Sequence, residues 1–150
     1  MKKQLAIILG LGLVSAVAVN SASACMPQLG EKRVVISCRD AAEVMDAGYF
    51  VEVEEKYVGK PEREKTLIVS EQTIMGPRPI GSAPVREVRP SAIGGGFEYL
   101  GQHIRLDVNF TTTPTSGGEH FGVVRGAIGN REVNAELLCR AITYPQLRCL

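Results

Sequence analysis

An all-β fold, a small antiparallel β-sandwich or partly open β-barrel reinforced by disulfides, is what this sequence predicts. Three observations carry that expectation. Apolar residues recur at every second position in short runs, as on a half-buried strand. Glycine-containing turns, Gly101-Gln102 and Gly129-Asn130, separate the later runs. No long apolar repeat of helical period follows residue 24.

The first residues belong to a different kind of segment. Lys2 and Lys3 precede an uncharged apolar run from Leu5 to Val19, and Ala22-Ser23-Ala24 follows, the three-part layout of a secretory signal peptide. The run is shorter than the roughly 20 residues of a membrane-spanning helix, and no second long apolar run follows it. Residues 1–24 are therefore set aside as a leader and 25–150 are taken as one β-rich domain, periplasmic or secreted. Taking 24 from 150 leaves 126 residues, enough for one domain with its own core.

Cleavage after Ala24 makes Cys25 the first mature residue, where a bacterial lipoprotein carries its lipid. Ala22 stands where such a signal usually has leucine, and Cys25, Cys38, Cys139 and Cys149 form an even set suited to two disulfides in an oxidising compartment. A soluble exported protein is the expectation, with a lipoprotein anchored through Cys25 as its alternative. Without Lys2 and Lys3 the 17 basic side chains become 15 against 16 acidic ones, a net charge of −1. That balance gives no support to nucleic-acid binding, which needs a basic excess.

Taken in order, Lys32 to Arg39 alternates Val34, Ile36 and Cys38 against Val35, Ser37 and Arg39, which predicts a strand with Cys38 on the aliphatic face. Asp40 and Glu43 offer a capping pair for a short helix that Gly48 would stop. From Tyr49 to Tyr57, Tyr49, Val51 and Val53 face inward and the carboxylates of Glu52, Glu54 and Glu55 are assigned to a solvated outer face. Leu67-Ile68-Val69 then completes a hairpin with this strand.

The composition changes after Ile74. Gly76 to Gly96 holds Pro77, Pro79, Pro84 and Pro90 together with five glycines, which predicts mostly extended loop with a short edge strand around Val85 to Val88. Arg78, Arg86 and Arg89 lie in this stretch, whereas no lysine follows Lys65. A guanidinium on an exposed strap grips a carboxylate or phosphate with a rigid fork of donors, or enters a protease pocket. These three arginines are the candidate contacts to a protein partner.

Gly101-Gln102 read as a two-residue turn places Tyr99 opposite Ile104, Phe97 opposite Leu106 and Glu98 opposite Arg105. Gly129-Asn130 read the same way places Val124 opposite Ala135 and Gly122 opposite Leu137, with Phe121 and Val123 on the other face. Cys38 and Cys139 then both sit among inward aliphatics, favouring a core bridge that leaves Cys25 to Cys149. The local pairing of Cys25 with Cys38 and Cys139 with Cys149 stays open.

His103 and His120 are the imidazoles available to a site, and about eight residues of strand, roughly 26 Å, separate them. A shared metal is not expected. Glu119-His120 near Thr111, Thr113, Thr115 and Ser116 is the one local grouping of acid, base and hydroxyl, so a hydrolase using His120 and Glu119 is the enzymatic alternative. Gly94-Gly95-Gly96 lacks the lysine and hydroxyl residue of a phosphate loop, and no cofactor is implied. The functional expectation is an exported binding or inhibitory module that meets another protein through Gly76 to Gly96.

Overall fold

A computed structural model describes residues 28–42, 48–59, 63–91, 95–110 and 114–142. Among them are nine strands and no helix: β1 (Lys32–Asp40), β2 (Tyr49–Lys56), β3 (Glu64–Thr73), β4 (Gly76–Pro84), β5 (Glu87–Pro90), β6 (Gly96–Leu100), β7 (Ile104–Asn109), β8 (His120–Ile128) and β9 (Arg131–Ala141). They form one antiparallel sheet in the order β4-β3-β2-β1-β9-β8-β7-β6-β5. The sheet is curled into a half-barrel, so the barrel form of the expected fold is the one observed. The short helix expected after Asp40 falls largely on 43–47, outside the described residues; within them, the Asp40 carboxylate accepts hydrogen bonds from the Ala42 and Tyr49 amides.

Two meanders, β1 to β4 and β5 to β9, meet where β1 pairs with β9. Alternation explains which side of each strand is covered. Val51 and Val53 of β2, Leu67 and Val69 of β3, Leu106 and Val108 of β7 and Val133 and Leu137 of β9 are all fully buried. One inner row runs Gly81, Val69, Val51, Cys38, Cys139 and His120 across six strands. In the middle of that row Cys38 and Cys139 are joined by a disulfide, with their Cα atoms 3.9 Å apart. This is the core bridge that the strand faces favoured, and it is compatible with an oxidising compartment. Cys25 and Cys149 lie outside the described residues. No helix among the described residues is long and apolar enough to cross a membrane.

The second hairpin has the register that the Gly129-Asn130 turn requires, with Gly122 opposite Leu137 and Val124 opposite Ala135. Gly129 has a φ of 58° and Asn130 does not have a positive φ, the order of a type II′ turn. Phe121 and Val123 consequently point to the outer face of the sheet.

Two expectations are corrected. In the first hairpin Tyr99 pairs with Leu106, Phe97 with Val108 and Glu98 with Asp107, two residues on from the expected partners. The Gly101 amide donates to the Ile104 carbonyl at 2.8 Å, so Gln102 and His103 form the turn. Gly101 is not among the glycines of positive φ; what it provides is space, since a Cβ there would lie 3.0 Å from Cγ2 of Ile104.

The second correction concerns Gly76 to Gly96, which is strand over Gly76–Pro84 and Glu87–Pro90 instead of mostly loop. A proline lacks only the N–H, and an edge strand has one side where no N–H is needed. All four prolines of the stretch lie on β4 or β5, the two edge strands. Val85 and Arg86, expected to begin a strand, are instead the junction between the two.

That junction shapes the molecule. The Val85 amide donates to Lys65 of β3 at 2.9 Å, and the next amide, that of Arg86, donates to Leu100 at the end of β6 at 2.8 Å. The chain thus passes directly from one edge of the sheet to the other. Across the interior, Gly81 of β4 approaches Ile128 of β8, where a Cβ would meet Cγ1 at 3.3 Å.

Candidate binding surfaces

The fold sends the three arginines of the Gly76 to Gly96 stretch to three places. Arg78 stands on β4 opposite Glu71, but Glu71 is held by Arg131 through bonds of 3.2 and 3.3 Å. Arg89 is on β5, where its Nε donates to Glu98 at 2.6 Å. Arg86 occupies the junction and faces an open cleft of about 1080 Å³ at one end of the half-barrel.

Glu55 organises this cleft. Alternation puts it on the inner side after Val51 and Val53, which corrects its assignment to the solvated face. Its carboxylate is shared by Arg33 at 3.3 Å, Lys65 at 3.2 Å and Arg63 at 3.5 Å. Three cations around one carboxylate leave a local positive excess, and the exposed Arg86 on the same wall adds a guanidinium without an ion pair or side-chain hydrogen bond among the described residues. Glu64 and Glu87 are exposed at the rim and offset part of that charge. Burial, with a smaller contribution from the Glu55 charge, pushes the pKa of the neighbouring core residue Tyr99 up to about 12.

Sequence placed Glu55 on the solvated face and did not single out Arg33, Arg63 or Lys65. The available signal was parity: Glu55 continues the inner series of β2, where a charge needs partners. The identity of those partners depends on the pairing of β1 with β2 and β2 with β3.

A second depression lies on the outer face of β5 to β8. Its wall carries Arg89, Glu98, Arg105 and Arg125, and Phe121, Val123 and Asp107 are among the other residues that line it. Glu98 is buried although it faces outward, and it accepts from both Arg89 and Arg105, the latter at 3.4 Å. At a third place, the β3–β4 turn, Ile74 is 89% and Met75 97% exposed.

Glu119 and His120 are neighbours in sequence without sharing a hydrogen bond. The Glu119 carboxylate accepts from Nε and Nη2 of Arg39 at 2.9 and 2.8 Å, and this fork holds its pKa below the ordinary value, against a smaller opposing effect of burial. The His120 ring packs edge-on against Phe110 at 5.1 Å, and its Nδ1 is buried without a hydrogen-bond partner. His103 sits in the turn at the other end of β8, where its carbonyl accepts from Ala127. Among the described residues no group of three or more metal-binding side chains comes together.

No protein-family model matches this chain, nor does any curated protein or solved structure. The chain is a disulfide-bridged half-barrel with a cationic cleft where its two edge strands join.

Proposed function

We propose that this chain is an exported binding or inhibitory module, periplasmic or secreted, that receives an acidic segment of another protein in the cleft beside Arg86. The observation that carries the reading is the charge arrangement there: Glu55 is already shared by three cations, while Arg86 on the same wall has no acid of its own among the described residues. A guanidinium in that position offers paired donors to an incoming carboxylate. The leader-like first 24 residues and the buried bridge support an oxidising compartment. Backbone bonds from both Val85 and Arg86 fix the cleft wall before a partner arrives, which lowers the entropy cost of association.

The test is a calorimetric titration of the purified chain with poly-L-glutamate at low and at high ionic strength. Binding should weaken as salt rises. Arg86→Ala should lower affinity about threefold to fivefold, as expected for one exposed charge contact, and Arg86→Glu should lower it further. Undiminished binding by both variants, or no binding by the native chain, refutes the assignment.

A further inference from the structure

The outer-face groove is separate from the cleft at Arg86 and has a chemistry of its own. Its volume of about 290 Å³ lies at the lower end of small-molecule sites. Strand register fixes the arrangement inside it. Arg105 of β7 stands directly opposite Arg125 of β8, and Asp107 directly opposite Val123. Phe121 follows Val123 on the same side of β8, because outward residues recur at every second position.

Arg105 is oriented by the buried Glu98, which also holds Arg89. Arg125 has neither an ion pair nor a side-chain hydrogen bond among the described residues, and the same is true of the Asp107 carboxylate. Two like charges directly opposite on a sheet repel, and an anion seated between the arginines relieves that repulsion. A simple anion, however, would meet the Asp107 charge next to it. A ligand that satisfies both features carries a negative and a positive group close together. Asp107 and Arg105 are two residues apart on one strand, roughly 6.8 Å, so those groups must be near neighbours within the ligand. The exposed ring of Phe121 and the side chain of Val123 extend the groove on the β8 side as an apolar surface.

We propose that this groove binds a free α-amino acid with an apolar side chain. Its carboxylate lies between Arg105 and Arg125, its ammonium on Asp107, and its side chain over Val123 and Phe121.

Titration of the full oxidised chain with L-leucine and with 4-methylpentanoate, the same skeleton without the amine, tests the assignment. Leucine should bind, and the amine-free acid about tenfold more weakly. Asp107→Asn, nearly identical in shape, should weaken leucine binding by about tenfold and strengthen that of 4-methylpentanoate, whose carboxylate no longer meets a like charge there. Arg125→Gln should weaken both. Thermal unfolding of each variant establishes that it is folded. Absence of leucine binding by the native chain overturns the proposal. So do equal affinities for the two compounds, or a leucine affinity that Asp107→Asn leaves intact.

Discussion

Replacing Cys38 and Cys139 together by alanine removes one cross-link and leaves Cys25 and Cys149 untouched, which reduction would not. The bridge joins residues 101 apart in sequence. In the chain-entropy account, releasing a loop of that length costs about 4.7 kcal/mol of stability. The loss of two fully buried sulfurs adds to this. For a domain of this size the expected fall in Tm is roughly 15–20 °C, measured by circular dichroism on protein whose intact mass confirms the substitutions. A second substitution isolates the local part of the effect. An added Cβ at Gly122 would lie 2.6 Å from Sγ of Cys139 and 3.1 Å from the Asp107 carbonyl. A bridged sulfur cannot swing aside, so Gly122→Ala should cost about 1–3 kcal/mol in the native background. In the alanine background the sulfur is gone, and the cost should fall by about 1 kcal/mol or more. A Tm loss below about 5 °C, or an equal cost of Gly122→Ala in both backgrounds, refutes this account of the core.

Three further outcomes follow from the same structure. Tyr99 should give the tyrosinate absorbance phase near pH 12, and Tyr99→Phe should remove that phase; because its folded pKa is raised, its contribution to stability is complete below pH 10 and disappears between 10 and 12. Glu119 has the opposite sign: its pKa is depressed by Arg39, so its contribution is present above the ordinary carboxylate value of 4.5 and is lost as pH falls through the lower folded value. Urea unfolding should therefore show a smaller loss of stability below pH 4.5 in Arg39→Gln than in the native chain. Finally, Ile74→Ser with Met75→Ser should change stability by no more than about 0.5 kcal/mol while reducing binding of a hydrophobic dye, since neither side chain contributes to the core.

The strands that carry the inner rows were legible because alternation and burial coincide: Val51, Val53, Leu67 and Val69 have period two in sequence and are fully buried in the sheet. The Gly129-Asn130 turn was legible because glycine occupies the position that needs positive φ. The Gly101 hairpin was not fixed in the same way. A shift of two residues leaves every side chain on its original face, so the pattern of apolar residues is identical in both registers. Space for Ile104 at Gly101 distinguishes them, and that is a contact in three dimensions. The loop expected over Gly76 to Gly96 arose from counting proline as a breaker, although proline removes one donor and an edge strand can lack it.

The cationic cleft illustrates why charge was harder to interpret than hydrophobic pattern. The chain as a whole has 17 basic and 16 acidic side chains, so composition shows nothing of the excess that Arg33, Arg63, Lys65 and Arg86 form around Glu55. The excess is created by pairing and by the passage between the sheet edges. Pairing brings Arg33 directly opposite Glu55, and β3 places Lys65 on the other side of the same residue. Arg86 arrives from neither strand but from the passage between the two sheet edges, where consecutive amides bind Lys65 and Leu100. Closing the half-barrel and forming the cleft are therefore one structural event: the backbone bonds that hand the chain from β3 to β6 also set the base of the Arg86 side chain. A flat sheet with the same pairing would keep Arg33, Glu55 and Lys65 side by side but would lose the bond from Arg86 to Leu100 that fixes the fourth cation on the cleft wall.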